Sequence, residues 1–265
     1  KSLMALAITE PNAGSDIRSI ESCAVQSGGN FILNGSKIFV TNGGLASLFL
    51  IAAKFKSENG NTGIGVFITE KDMEGVEIGD SEHKMGIRGS STTSLYFKDV
   101  IIPKENILGT LNEGLKIISG TLDAGRIGIA SQALGIAQAA FERAVEYSKS
   151  RKQFNRTISS FEGISFKLAE MATMLEAARL LTYKTAFLKD INNNFTKEAA
   201  MCKYFTSKIA RKITNKALQI HGGYGYMKDL PLERYYRDAK VCEIYEGTNE
   251  IMKLIISQQI LRGNM

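Results

Sequence analysis

Histidine is nearly absent from this 265-residue chain: only His83 and His221 occur, too few for a His-rich metal centre, and no metal is expected. The three cysteines, Cys23, Cys202 and Cys242, are widely spaced, form no CxxC pair and give no even-numbered framework. Reduced thiols in a reducing compartment follow, with a bacterial cytoplasm expected rather than a mitochondrial matrix. No apolar run approaches the roughly 20 residues a membrane helix needs, so no bilayer span is expected. Blocks of like charge are missing as well. The 33 basic and 27 acidic residues give a formal charge of +6, but they are interspersed, without the basic stripe of a nucleic-acid-binding domain. The opening "KSLMALAITEPNAGSD" leads straight into a Pro/Gly turn and has no cleavage pattern, so the chain is expected to begin inside a fold. There is no internal repeat, and "NNN" at 192–194 is too short to count as low complexity.

What is present suffices for a full core: 44% of residues are hydrophobic, in a length suited to one large domain or two ordinary ones. From about Ser19 to Ile102 the runs "SIESCAVQ", "NFILNGSKIFVTN", "ASLFLIAAKF", "TGIGVFITEK", "VEIGD" and "TTSLYFKDVII" are bounded by Gly, Asn or Asp. Gly28-Gly29 separates the first two, and Asn34-Gly35 reads as a second tight turn. Short strands of this kind predict a small antiparallel barrel or sandwich. After Pro103 the period changes. Leu108 to about Arg151 reads as one long helix, and Ile164, Leu168, Met171, Leu175 and Ala178 form the apolar face of a second. "INNNFTKEAA" breaks the pattern, Thr196 reads as the N-cap of a third helix to about Ile220, and "HGGYGYMKDLP" is a Gly-rich turn. Ile251, Leu254, Ile255 and Leu261 define a fourth helix. The fold class expected is α+β in segregated domains, a β-domain over 1–103 and a four-helix bundle over 104–265.

Several short stretches have two readings each. "TEPNAGSD" (Thr9 to Asp16) is either an ordinary turn or a loop whose amides and hydroxyls approach an anion or a flat heterocycle. In "FVTNGG", Phe39 is either a core residue or an aromatic that stacks on a ring. Asp123 and Arg126 in "LDAGRIGIA" are close enough to pair, and Gly125 and Gly128 inside a helix suggest that something packs closely there. "RKQF" and "QIHGGYGY" offer a guanidinium and freed amides suited to phosphate, although Gly222 and Gly223 could instead form a helix C-cap. Glu246 in "IYEGTNE" lies just outside a helix that Thr248 would cap, which is by itself sufficient reason for an acidic residue.

Taken in order, "TEPNAGSD", "LNGSKIFVTNGG", "MGIRGSSTTSLYFKDVIIP", "LDAGRIGIASQALGIAQAA", "RKQF", "QIHGGYGY", "PLERYYRDAK" and "IYEGTNEI" resemble the acyl-CoA dehydrogenase family over nearly the whole chain. The wording is most similar to its short-chain, butyryl-CoA-type members. The resemblance implies a β-domain and a C-terminal four-helix domain, together with an N-terminal helical domain that is missing here and would wall part of the flavin and acyl site. It implies α,β-dehydrogenation of an acyl-CoA thioester to the trans-2-enoyl-CoA, with FAD as cofactor and electron-transfer flavoprotein as the electron acceptor. A catalytically silent scaffold and an acyl-CoA oxidase are the alternatives.

By position, the resemblance makes Glu246 the base that removes the α-proton, with its backbone N–H donating to the thioester carbonyl; Glu243 and Glu250 are the nearest other candidates. Leu6, Ile8, Thr9 and Ser15, with Phe39, Val40 and Thr41, would hold the isoalloxazine and part of the pyrophosphate. Phe39 stands where many members have tryptophan, a residue this chain lacks altogether. Thr248 and Glu250 would also touch FAD, whereas Arg151, Phe154, Glu162, Gln219, Gly222 and Gly223 would reach the FAD of a neighbouring subunit in a dimer of dimers. Ser15, Asp123, Arg126 and Gly247 would meet the CoA thioester. Two departures from the family pattern are Glu162, where glutamine is usual, and Asn155, where glycine is usual.

Overall fold

The computed structural model describes residues 2–191 and 194–263. It divides into two compact units, Lys1–Lys84 with Arg88–Thr121, and Met85–Ile87 with Leu122–Met265.

The first unit is built on seven strands: β1 (Met4–Ala7), β2 (Cys23–Ser27), β3 (Asn30–Thr41), β4 (Leu48–Lys56), β5 (Thr62–Glu70), β6 (Val76–Ser81) and β7 (Thr92–Pro103). Strand β4 is central. Along one edge it pairs in parallel with β1 at Leu48–Ile51 and with β2 at Lys54–Lys56, and along the other it pairs antiparallel with β5. The sheet continues β2-β3-β7-β6, all antiparallel. The expected barrel-like β-domain is therefore present, although two of its pairings are parallel and β1 was not among the expected strands. Phe31 on β3 and Phe67 on β5 are not on hydrogen-bonded strands, yet their ring centroids are 5.5 Å apart, so the sheet curls around a single core. That core includes Leu33, Phe49, Ile51, Leu95 and Ile102.

The expected turn at Asn34-Gly35 does not exist: β3 runs through it. One extra residue on β7 opposes this point, between the Leu33–Val100 and Gly35–Phe97 pairs, and Asp99 there has φ +51°. Asn34 spans the bulge, its Nδ2 donating to Asp99 Oδ1 (3.0 Å) and its Oδ1 accepting from the Asp99 amide (2.9 Å). Gly35 is needed because a Cβ would stand 2.4 Å from Ser22 Oγ, and its φ is +141°. A second bulge, on β3 itself between Lys37 and Val40, leaves Phe39 at φ +56°. The inward-facing series Phe31, Leu33, Lys37 then resumes at Val40, and Phe39 is turned out, 61% exposed.

The second unit is helical: α1 (Gly114–Ser150), within which the division between units falls, α2 (Glu162–Asp190), α3 (Thr196–His221), the single turn α4 (Gly223–Tyr226), α5 (Leu232–Val241) and α6 (Asn249–Leu261), with a two-strand ribbon β8 (Lys152–Gln153) and β9 (Arg156–Thr157). Its core is rich in alanine: Ala133, Ala137, Ala140 and Ala144 of α1 pack with Met171, Leu175 and Ala178 of α2 and Ile209, Ile213 and Ala217 of α3. Small side chains let the helix backbones approach closely.

Three expectations are corrected. Thr196 is the first residue of α3 rather than its cap, and its hydroxyl donates to Asp123 Oδ2 at 2.7 Å. Helix α5 was not foreseen within "PLERYYRDAK"; Pro231 precedes it and an i,i+4 pair, Arg237 to Glu233 at 2.7 Å, supports it. In α6 the buried residues are Asn249 and Met252, whereas Leu254 and Leu261 are exposed. The break in "INNNFTKEAA" falls between α2 and α3, with Asn192 and Asn193 outside the described residues. Among the described residues no helix is long and apolar enough to cross a membrane.

Candidate active site

In the first unit a buried ion pair organises the loop after β1. Glu10 Oε1 and Lys37 Nζ are 2.5 Å apart, both side chains buried. Glu10 also accepts from the amides of Ser22 (3.0 Å) and Glu21, while Lys37 donates to Ile8 O (3.1 Å) and the Ile38 amide to Thr9 O (2.9 Å). Burial opposes ionisation of Glu10, but the hydrogen bonds from Lys37, Ser22 and Glu21 outweigh it and hold the carboxyl below its ordinary range. These bonds bring Ile8 and Thr9 beside the β3 bulge that carries Phe39. Leu6, Ile8 and Thr9 are half-buried, Ser15 and Thr41 are exposed, and the side chain of Val40 is buried in the sheet core. Neither Glu10 nor Lys37 was singled out from sequence; the signal is a lysine at the inward phase of a strand, in series with Phe31 and Leu33.

In the second unit Glu246 sits in the turn between α5 and α6 with φ +55°, followed by Gly247 at φ +90°. A left-handed conformation costs a non-glycine residue about 1–2 kcal/mol, so the surroundings must enforce it. They do so at both carbonyls: Arg126 Nε donates to Glu246 O (3.3 Å) and Lys203 Nζ to Gly247 O (2.6 Å). Thr248 caps α6, accepting from the Ile251 amide at 3.3 Å, and the Asn249 amide donates to Glu243 O at 3.0 Å. Among the described residues the Glu246 amide has no acceptor. The carboxylate rests on α1, where a Cβ on Gly125 would stand 2.5 Å from Oε2. Gly125 is thus closely packed, as expected of a glycine inside a helix, whereas a Cβ on Gly128 would meet nothing within 4 Å beyond its own helix backbone.

Burial raises the Glu246 pKa above its ordinary value, against the opposing charges of Arg126 and Lys203. The other two carboxylates of the segment behave differently. Glu243 is also desolvated, but Lys240 (2.8 Å) and Arg211 (2.9 Å) hold its pKa down. Glu250 is exposed, 4.0 Å from Lys253. Of the three, only Glu246 combines a raised pKa with burial and a free neighbouring amide.

Asp123 and Arg126 form a buried pair at 2.6 Å rather than a surface one. Both Asp123 oxygens are engaged, by Arg126 and Thr196, so Arg126 is braced against the carbonyl of Glu246. Lys203, Asn249 and Ser207 complete the support; Lys203 and Ser207 escaped the sequence reading, although a lysine among Ala199, Ala200, Cys202 and Thr206 of α3 was visible.

A separate cleft of about 490 Å³ in this unit is lined by Tyr147, Arg151, His221, Gly222, Gly223 and Tyr224, among others. Gly222 is the C-cap of α3 at φ +59°, and nothing lies within 4 Å of a Cβ on it or on Gly223, so these glycines leave an open edge. Gln219 adjoins and is exposed. The Arg151 guanidinium is 5.6 Å from the Tyr224 ring centroid. Phe154 (φ +51°) and Asn155 (φ +59°) form the two-residue turn of the β8-β9 hairpin. Left-handed φ at both positions marks a type I′ turn, which explains asparagine in place of glycine. Glu162 is exposed at the first position of α2, where the positive end of the helix suits a carboxylate. The preceding Phe161 ring carries the Arg156 guanidinium 3.9 Å from its centroid.

Taken separately, the exposed aromatic held out by a bulge in the first unit suits a flat ring such as a flavin, and the cation beside open glycines in the second suits a diphosphate. The desolvated carboxylate of Glu246, with its pKa raised, has the chemistry to accept a proton. The chain belongs to the acyl-CoA dehydrogenase family, flavoprotein oxidoreductases acting on CH–CH groups. Residues 5–100 match the model described as acyl-CoA dehydrogenase, middle domain, and residues 112–261 that of the C-terminal domain. The chain is 52% identical over 261 residues to an acyl-CoA dehydrogenase of Bacillus subtilis (strain 168), covering 98% of this chain and 69% of that one. It is 50% identical to the short-chain specific acyl-CoA dehydrogenase of Clostridium acetobutylicum, covering 97% and 68%. Among solved structures, butyryl-CoA dehydrogenase from Megasphaera elsdenii superposes with a TM-score of 0.95 at 47% identity, over 98% of this chain and 68% of that one.

Proposed function

We propose that this protein carries out FAD-dependent α,β-dehydrogenation of a short-chain acyl-CoA to the trans-2-enoyl-CoA, with Glu246 as the base. The observation that carries this reading is the raised, half-buried Glu246 carboxylate beside its own unengaged amide N–H. A bound flavin supplies the acceptor for the hydride leaving the β-carbon. The chain's own task is the α-proton. Glu246 accepts it at a carboxylate oxygen, and the Glu246 N–H, aimed by the left-handed turn, donates to the thioester oxygen on which negative charge develops. Asp123 and Arg126 serve by holding that turn, and the family resemblance adds Gly247 and Ser15 as residues that would meet the thioester. Phe39, with Leu6, Ile8, Thr9, Val40 and Thr41, holds the flavin ring, and by the family resemblance Thr248 and Glu250 would also touch FAD. Arg151, Phe154, Glu162, Gln219, Gly222 and Gly223 hold the dinucleotide of a neighbouring subunit.

The short-chain preference is supported by the butyryl-CoA and short-chain relatives, and an electron-transfer flavoprotein as electron acceptor by the family resemblance. A homo-oligomer is supported by Leu180, Tyr183 and Phe187, each 61% exposed along one face of α2, and its form as a dimer of dimers by the family resemblance. The test is Glu246→Gln. Flavin binding is expected to persist while exchange of the substrate α-proton with deuterated solvent falls by about 10²–10⁴-fold. Retained exchange would remove Glu246 from the mechanism, and rapid peroxide formation on turnover would assign the chain to the oxidases instead.

A further inference from the structure

Lys203 is fully buried on α3, yet among the described residues its ammonium makes no hydrogen bond to a carboxylate. Its acceptors are neutral: Gly247 O at 2.6 Å and Asn249 Oδ1 at 3.2 Å, the latter also accepting from Ser207 Oγ at 3.1 Å. A buried cation with only neutral partners is expensive, and an apolar residue in its place would fill the same volume at less cost. The arrangement has a geometric product instead. Arg126 fixes the carbonyl of Glu246 and Lys203 fixes the next one, so two successive peptide planes are held by two buried cations. Asn249, the first residue of α6, ties the same ammonium to the helix start, so the turn and the helix are located together.

We infer that Lys203 is a positioning residue for the base: it clamps the Gly247 carbonyl and thereby aims both the carboxylate and the amide of Glu246. This rests on Glu246 being the base. The charged or titratable groups facing Lys203 are Cys242, Arg126, Glu243 and Glu246, and burial, reinforced by Arg126 and opposed by the other three, brings its own pKa down to about 8. Removing its charge takes away one of the two cations that favour ionised Glu246, so the base must then titrate at higher pH.

The test compares Lys203→Met, which lacks donor and charge, with Lys203→Gln, which keeps a donor, both flavin-loaded. In Lys203→Met, kcat is expected to fall by about 10²-fold, as for a slightly misplaced base, with KM nearly unchanged. The carboxyl infrared band of Glu246, identified by its loss in Glu246→Gln, should titrate at higher pH in both variants, and Lys203→Gln should recover part of kcat. Wild-type kcat and a wild-type Glu246 titration in folded Lys203→Met would overturn the inference. So would failure of both variants to fold, or a lower kcat with an unshifted titration, since either leaves Lys203 only a structural role. If wild-type protein exchanges no α-proton, the functional reading fails, while the infrared titration still reports the coupling of Lys203 to Glu246.

Discussion

The carboxylate of Glu246 rests on the backbone of Gly125, so close that a Cβ there would stand 2.5 Å from Oε2. One glycine of a 37-residue helix thus acts as the floor beneath the proposed base. Gly125→Ala is expected to separate stability from activity. Alanine favours a helix interior by about 1 kcal/mol, and the displaced atom is the far end of a flexible side chain, so the melting temperature should hold or rise. The carboxylate must move, and α-proton exchange should drop by about 10²-fold. Gly128→Ala, where the added Cβ would meet nothing within 4 Å beyond its own helix backbone, should give the same helix gain with activity unchanged. Thermal melts and exchange assays on the two variants check the contrast.

Glu246 also makes a signed prediction about stability against pH. Its pKa is raised in the fold, so between its unfolded and folded values the native state binds more protons and stability declines as pH rises. Glu246→Gln removes that penalty. The variant should melt higher than wild type at neutral pH, and the advantage should vanish below the ordinary carboxylate pKa, where Glu246 is protonated in both states. An equal advantage at all pH values would contradict the burial argument.

The Glu10–Lys37 pair behaves in the opposite sense. The Glu10 pKa is lowered in the fold, so its contribution is present above the unfolded pKa and is lost as pH falls through the folded one. Lys37→Met strands a buried carboxylate and should cost about 3–5 kcal/mol in urea unfolding, whereas the double variant Glu10→Gln, Lys37→Met should cost less than the two single changes summed. Because the pair laces the Ile8–Thr9 segment to β3, flavin affinity should weaken in step with the loss of the pair.

The change of period near Pro103, the Gly28-Gly29 hairpin, the Thr248 cap and the Asp123–Arg126 pairing were all legible, because each is a local signal. What escaped depends on partners distant in sequence. Asn34-Gly35 has turn chemistry, but Ser22 and Asp99 recruit it to a bulge. Thr196 has the chemistry of a cap, but Asp123, 73 residues away, claims its hydroxyl. For Glu246 local physics gave only a helix-entry carboxylate; the ordered company of the other blocks suggested the base, and the φ values, Gly125 and Lys203 supply its physical setting.

The β3 bulge sets the regularity of the strand against its use. Deleting Ile38 would remove the extra residue, restore plain alternation from Phe31 onward and relieve the left-handed Phe39, giving a β-ribbon with fewer defects. The same deletion would leave Phe39 at the outward position of a regular pleat, exposed but with its ring turned in a new direction by the loss of the left-handed backbone. Length variation at this one position should therefore be readily accepted by folding and rejected by flavin binding, so a screen for solubility alone would enrich the very deletion that a screen for colour would discard.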